Sequence, residues 1–271
     1  MTFVELFAGI GGISLGLERA GHTCVGQVEI DSYCTQILNK HWPEVPKHDD
    51  VRTFQGTEFG TFDLLTGGYP CQPFSVAGNR AGETDERHLW PEMHRIIRNV
   101  RPRLVLLENV TGHLSLGFGR VLGDLAEIGY DTERRCISAA AVGAPHRRDR
   151  VFLVAYPEGE HCNVSNHHSR VSAQSGKVPE SRNGCGAPNM ANTEQRRHKA
   201  PQPAIFRPEA ANTLERFRAG PGAQQWAVEP PVGRLADGVP HHVDQLRALG
   251  NAVVPAVAQY IGELLKTHTT A

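Results

Sequence analysis

A chain of 271 residues can bury a substantial core and suits one large domain, or a large one with a small companion. Lys and Arg number 28 against 29 Asp and Glu, so overall charge argues neither for nor against nucleic acid and local charge must decide. Six cysteines at positions 24, 34, 71, 136, 162 and 185 form no C-x-x-C pair, which argues against a zinc ribbon or a thioredoxin-like site and fits reduced thiols. No basic segment followed by an apolar stretch opens the chain, and no apolar run reaches the roughly 18 residues of a membrane span. The expectation is a cytoplasmic protein with no membrane contact.

The first 157 residues alternate β-rich runs with helical stretches. Thr2 to Phe7 reads as a buried strand, followed by a glycine-rich turn and a helix ending near Gly21. Thr23 to Ile30 is a second strand, with a helix from about Asp31 to His41. Further strands are expected at 62–66, 103–110, around Asp131 to Ser138, and at 150–156; helical spacing marks 88–100 and 119–129. Such alternation predicts an α/β fold with a doubly wound, mostly parallel sheet, in which ligands bind beyond the carboxyl ends of the strands. Residues 158–239 lose periodicity and are rich in Gly, Pro, Ser, Asn, Gln and His, and 249–265 restores an apolar helical pattern. The expected organisation is a catalytic domain over 1–157 completed by 240–271, with 158–239 as a small irregular second lobe or a long loop.

Several short stretches carry chemistry. "FAGIGGISLGLERAG" (7–21) follows a strand and opens a helix, so its glycines let backbone approach a ligand and its free N–H groups favour a polar one. Alone, that turn would equally suit a nicotinamide cofactor or a structural role. Glu29 ends the next strand, where an acid commonly binds ribose hydroxyls, and Asp50 could meet an adenine amino group; each also reads as a solvated charge. In "GGYPCQPFSV" (67–76) Cys71 stands between prolines on a glycine-primed loop where a strand runs out, displayed rather than packed. Glu108 closes the apolar run "LLENV", either in an ion pair or as an acid with a raised pKa near the nucleophile. Arg148 and Arg150 in "HRRDRV" would share a face of extended backbone and suit phosphate or base contacts. His161, Cys162, His167 and His168 match no common structural zinc spacing, and no metal site is expected.

Taken together, the motifs resemble those of DNA cytosine carbon-5 methyltransferases of bacterial or phage type, which use S-adenosylmethionine. "FAGIGG" resembles the cofactor loop, "GGYPCQPFSVAGNR" the nucleophile loop and "ENV" the catalytic-glutamate motif; "RRDRVF" resembles the arginine motif and "ALGNAVVP" (248–255) a C-terminal cofactor motif. They stand in the family's order, with only the middle of the chain unmatched. The resemblance implies a Rossmann-like methyltransferase fold and a covalent adduct of Cys71 with a flipped cytosine. Glu108 would act at ring nitrogen N3 and Arg150 at the base carbonyl, with Arg148 steadying backbone or loop. The donor site would comprise Phe7, Gly9, Gly11, Glu29, Ile30, Asp50 and Pro70, with Asn251 and Val253 returning from the C-terminal segment. Two departures stand out: His146 where glutamine is common, and "HLW" (88–90) in place of a glycine-containing stretch. The implied partner is double-stranded DNA, met by a monomer, with a separately acting restriction endonuclease in some systems. Residues 158–239 would read the target sequence. The rival readings are a transfer RNA methyltransferase with the same catalytic residues, a nicotinamide-dependent oxidoreductase and a catalytically idle DNA-binding module.

Overall fold

The computed structural model describes residues 1–70, 89–115, 117–159 and 242–267. Seven strands form one sheet: β1 (Thr2–Leu6), β2 (Thr23–Val28), β3 (Lys47–His48), β4 (Leu64–Gly67), β5 (Leu104–Val110), β6 (Tyr130–Ser138) and β7 (Asp149–Pro157). Among the described residues six α-helices accompany them: α1 (Gly12–Arg19), α2 (Ser32–His41), α3 (Trp90–Val100), α4 (Phe118–Glu127), α5 (His242–Asn251) and α6 (Pro255–Thr267). The strand order is β3-β2-β1-β4-β5-β7-β6. The five strands from β3 to β5 run parallel, and β7 is antiparallel to both of its neighbours. A parallel return needs a crossover of about a dozen residues or more, usually helical. Residues 139–148 between β6 and β7 supply only a short three-ten turn, so β7 folds back.

Local signals explain the helix starts. Asp31 caps α2, its Oδ1 accepting from the backbone N–H groups of Tyr33 and Cys34 at 3.0 Å each. Proline sits in the first turn of α3, where its missing N–H costs nothing. The expected single helical run over 249–265 is instead two helices, broken at residues 252–254. Pro255 explains the break: it lacks an N–H and pushes the preceding residue out of helical geometry, so it can only begin α6.

Strand alternation sends side chains to two cores. Val4, Leu6, Leu65, Val105 and Leu107 pack with Trp90, Met93, Ile96 and Phe118 from α3 and α4. Phe3, Leu64, Leu106 and Val154 pack on the opposite face with Ile13 and Leu17 of α1 and Val257, Tyr260 and Ile261 of α6. The α1–α6 contact is close because Gly16 lacks a side chain: a Cβ there would lie 2.4 Å from the Pro255 carbonyl oxygen and 2.5 Å from Ala258 Cβ. A helix from the far end of the sequence is thereby fixed against the first helix, and the segment before it is delivered to the glycine turn. Among the described residues no helix is long and apolar enough to cross a membrane.

Candidate active site

β1 ends at Leu6, and the backbone then turns through left-handed conformations at Phe7 (φ 54°), Gly9 (φ 54°) and Gly11 (φ 81°). Contact dictates glycine at two positions here. A Cβ on Gly11 would meet the Trp42 ring at 2.5 Å, and one on Gly12 would sit 2.4 Å from the Val253 carbonyl oxygen. At Gly9 nothing lies within 4 Å of the position a Cβ would take, so the turn is open there.

Glu29 follows β2 and faces this turn. Its Oε2 accepts from Gly9 N–H at 2.6 Å and its Oε1 from Asp31 N–H at 2.7 Å. Burial raises its pKa, and the two N–H donors oppose that rise. Next to it Ile30 is 66% exposed, a large aliphatic side chain left without cover at the sheet's carboxyl edge. Glu29 N–H donates to the His48 carbonyl at 3.0 Å, which brings the end of β3 and then Asp50 alongside. Arg52 engages the Asp50 carboxylate at 2.7 Å and holds its pKa below the usual range. From the C-terminal segment, Val253 is buried against Gly12, while Asn251, the last residue of α5, is exposed.

The other half of the site lies at the ends of β4 and β5. Glu108 is buried, and its Oε1 pairs with Arg150 Nε at 2.9 Å. The reversal of β7 makes this pairing: Arg150 is the second residue of an antiparallel strand and so lands at the edge where β5 finishes, opposite Val110. Burial pushes the Glu108 carboxyl up to about 7, against the pull of the Arg150 and Arg148 charges. The chain leaving β4 runs directly past it, since a Cβ on Gly68 would fall 2.6 Å from Glu108 Oε2. Asn109 Nδ2 donates to the Tyr69 carbonyl at 3.1 Å, and the Tyr69 hydroxyl bonds His113 Nε2 at 2.8 Å. The half-buried Pro70 follows this anchored stretch, and Cys71, the next residue, lies outside the described residues.

Arg148 does not share a strand face with Arg150 as expected. Its φ of 32° is left-handed, so the alternation of extended backbone does not reach it. Its Nη2 donates instead to the carbonyls of Gly250 at 2.6 Å and Ala252 at 2.7 Å. His146 is exposed in the preceding turn. Trp90 is a core residue: it is buried, donates from Nε1 to Asp124 at 2.7 Å and packs on Tyr69 with ring centroids 5.3 Å apart. Leu89 packs partly buried against the same core.

Sequence reasoning missed a buried polar group beneath the glycine turn. Glu5 Oε2 accepts from Ser14 N–H at 2.9 Å and from the Ser14 hydroxyl, which in turn accepts from Gln27 Nε2 at 3.0 Å. Gln27, Glu5 and Thr66 occupy one row across β2, β1 and β4. This links α1 to the strands beneath it. A carboxylate inside the otherwise apolar "TFVELF" was the available signal. Among the described residues no group of three or more His, Cys, Asp and Glu could hold a metal ion. The His161, Cys162, His167 and His168 cluster and most of 158–239 lie outside them.

A family model described as C-5 cytosine-specific DNA methylase matches residues 1–212. The chain belongs to this family. Among its relatives, the Type II methyltransferase M.NgoMIV of Neisseria gonorrhoeae is 40% identical over 159 residues, covering 57% of this chain and 51% of that protein. M.BsuFI of Bacillus subtilis is 37% identical over 161 residues, covering 58% and 39%. The chain thus spans about half or less of the length of these relatives. The solved structure of the S. pombe Dnmt2 methyltransferase is 25% identical, with a TM-score of 0.50 over 58% of this chain and 51% of that one. A Spodoptera frugiperda DNMT2 mutant shares the fold over 98% of this chain and 99% of its own, with a TM-score of 0.59 at 18% identity. Family and fold therefore agree with the α/β, Rossmann-like methyltransferase architecture expected from sequence.

Proposed function

We propose that this protein is a DNA cytosine-5 methyltransferase that moves a methyl group from S-adenosylmethionine to carbon 5 of a cytosine turned out of double-stranded DNA. The observation that carries the reading is the buried Glu108–Arg150 pair, set against the backbone two and three residues before Cys71. A carboxyl near pH 7 in its titration beside a guanidinium suits a ring that must accept a proton on N3 while its carbonyl is held. Turning the base out costs roughly a few kcal/mol, and base contacts in the pocket offset this.

The donor would be held by the residues at the ends of β1, β2 and β3. The open face of Gly9, the Glu29 carboxylate and the uncovered Ile30 side chain fit a nucleoside: close backbone approach, hydroxyl acceptance and an apolar surface for the base. Phe7, Gly11, Asp50, Pro70, Asn251 and Val253 complete the proposed site. When bound, S-adenosylmethionine supplies an electrophilic methyl group, and no metal is required.

The rest of the chemistry falls to the protein and the base. The Cys71 thiolate forms a bond to cytosine carbon 6, and the electron pair of the 5,6 double bond becomes available at carbon 5. Glu108 shares or gives its proton to N3 as that charge develops, and Arg150 holds the carbonyl oxygen. With the methyl group in place, loss of the carbon-5 proton restores the double bond and expels the thiolate. Residues 158–239 would form the target-reading lobe, and 240–271 would complete the catalytic domain. The Type II names of the relatives fit a protein that modifies the site of a separately acting restriction endonuclease, and the proposal includes a cytoplasmic monomer as its form.

The test is to incubate unmethylated DNA with protein and S-adenosylmethionine and to map protected cytosines by bisulfite sequencing. Duplexes containing 5-fluorocytosine should trap the wild-type protein covalently, because fluorine cannot leave as a proton does. The Cys71→Ala variant should neither methylate nor be trapped; a covalent complex with that variant would overturn the assignment of the nucleophile.

A further inference from the structure

We infer that Arg148 is a positioning residue for the methyl-donor site, acting through the C-terminal segment rather than on the cytosine; this rests on the function proposed above. Its Nη2 donates to the carbonyls of Gly250 and Ala252, which flank Asn251 where α5 ends. Carbonyls at the end of a helix have no intrahelical donors, and a cation there satisfies them and complements the helix dipole. One guanidinium nitrogen thus spans the last turn of α5 and the break before α6.

The next residue carries the effect to the donor site. Val253 follows Ala252 directly, and its carbonyl oxygen occupies the space that a Cβ on Gly12 would need, 2.4 Å away. Gly12 opens α1 immediately after the glycine turn. Arg148 therefore sets the depth at which residues 250–253 press on that turn, and with it the positions of Asn251 and Val253. The left-handed backbone at Arg148 aims the side chain at this segment, whereas Arg150, two residues on, faces Glu108. Among the described residues the buried Arg148 Nε has no hydrogen-bond partner, so both of its side-chain bonds there go to the C-terminal segment. The two arginines of one short motif serve opposite ends of the site.

The test compares Arg148→Ala, Arg148→Lys and Arg150→Ala by calorimetric titration with S-adenosylmethionine without DNA, and by KM for the donor against kcat with duplex DNA. Loss of two hydrogen bonds from a charged donor should weaken donor binding about 10- to 100-fold in Arg148→Ala. Arg148→Lys, which keeps a cation that can reach one carbonyl, should fall between it and wild type. KM for the donor should rise in step while kcat at saturating donor stays within a few-fold. Arg150→Ala should show the reverse split, with donor affinity kept and kcat lost. Wild-type donor affinity in a folded Arg148→Ala, or a loss confined to kcat, would overturn the inference and leave the proposed function standing. If Arg148→Ala does not fold, Arg148→Lys decides by the same split. Failure of the wild-type protein to bind S-adenosylmethionine would instead remove the proposed function, and this inference with it.

Discussion

Replacing Glu108 by Gln separates an acid that acts in catalysis from one that merely pairs with Arg150. Burial holds this carboxyl near 7, whereas the same group in the unfolded chain titrates near 4.5. Because the folded pKa is the higher one, the folded state keeps a proton that the unfolded state has released across the window from about 4.5 to 7. The stability this group contributes is fully present below 4.5 and is lost as pH rises through 7. The difference between the two pKa values corresponds to about 3 kcal/mol. Glutamine keeps the shape and an oxygen that can accept from Arg150, but it cannot ionise. Stability from urea unfolding, measured as Glu108→Gln minus wild type, should therefore move by roughly 2–3 kcal/mol in favour of the variant between pH 5 and pH 8, part of the full difference falling below pH 5. Single-turnover methyl transfer to an unmethylated duplex should fall about 10²- to 10⁴-fold in the same variant. A structural ion pair, with its folded pKa below 4.5, predicts a variant that transfers methyl groups within twofold of wild type and a relative stability that stays flat between pH 5 and pH 8. That pair of results would refute the reasoning.

Two further outcomes can be tested, the second resting on the sequence alone. Glu5, which burial pushes up to about 8, should also lose its stabilising contribution as pH rises, in a window from about 4.5 through 8. Unfolding of Glu5→Gln between pH 5 and pH 9 should show a flatter pH dependence than wild type, and parallel curves would show that the carboxyl does not titrate with folding. Replacing residues 165–220 by a flexible linker should preserve S-adenosylmethionine binding and erase discrimination between target and non-target duplexes. Selective methylation by that protein would move the reading element elsewhere.

The sheet was legible because its strands are β-rich runs bounded by glycine, proline or charge, as in Thr23–Val28 and Leu104–Val110. Two of its features were not. β3 is two polar residues long and carries no periodicity; it forms because Lys47 and His48 find the free edge of β2. The reversal of β7 is invisible to hydrophobic alternation, which has no direction, although the short stretch between β6 and β7 could have announced it. In the site, Glu108 stood out as a charge within an apolar strand, and the same reasoning applied to Glu5 would have exposed the polar row beneath the glycine turn. The resemblance implied that Arg148 steadies backbone or loop, but which backbone was beyond reach, because a left-handed turn at an arginine has no composition signal and its acceptors lie about a hundred residues away in the chain.

The contrast between the two carboxyls shows how one sheet face can hold two buried acids with different electrostatic balances. Glu5, Thr66 and Leu106 stand opposite one another across β1, β4 and β5, so Glu108 lies two residues further toward the carboxyl edge on the same face. That step changes the company each keeps. Glu5 is sealed beneath α1, where burial dominates and the Ser14 bonds only partly oppose it, with no cation among the groups that shift it. Neutral glutamic acid is the stable form there, and its work is to hold the start of α1. Glu108 reaches the end of β5, where Arg150 pairs with it directly and the Arg148 charge adds a weaker pull. Burial and the two charges leave it near 7, where the protonated and ionised forms are close in free energy. Moving the carboxyl back to position 106 would lose that balance: a Leu106→Glu, Glu108→Leu double variant should carry a neutral, inert acid under α6 and show no rescue of methyl transfer.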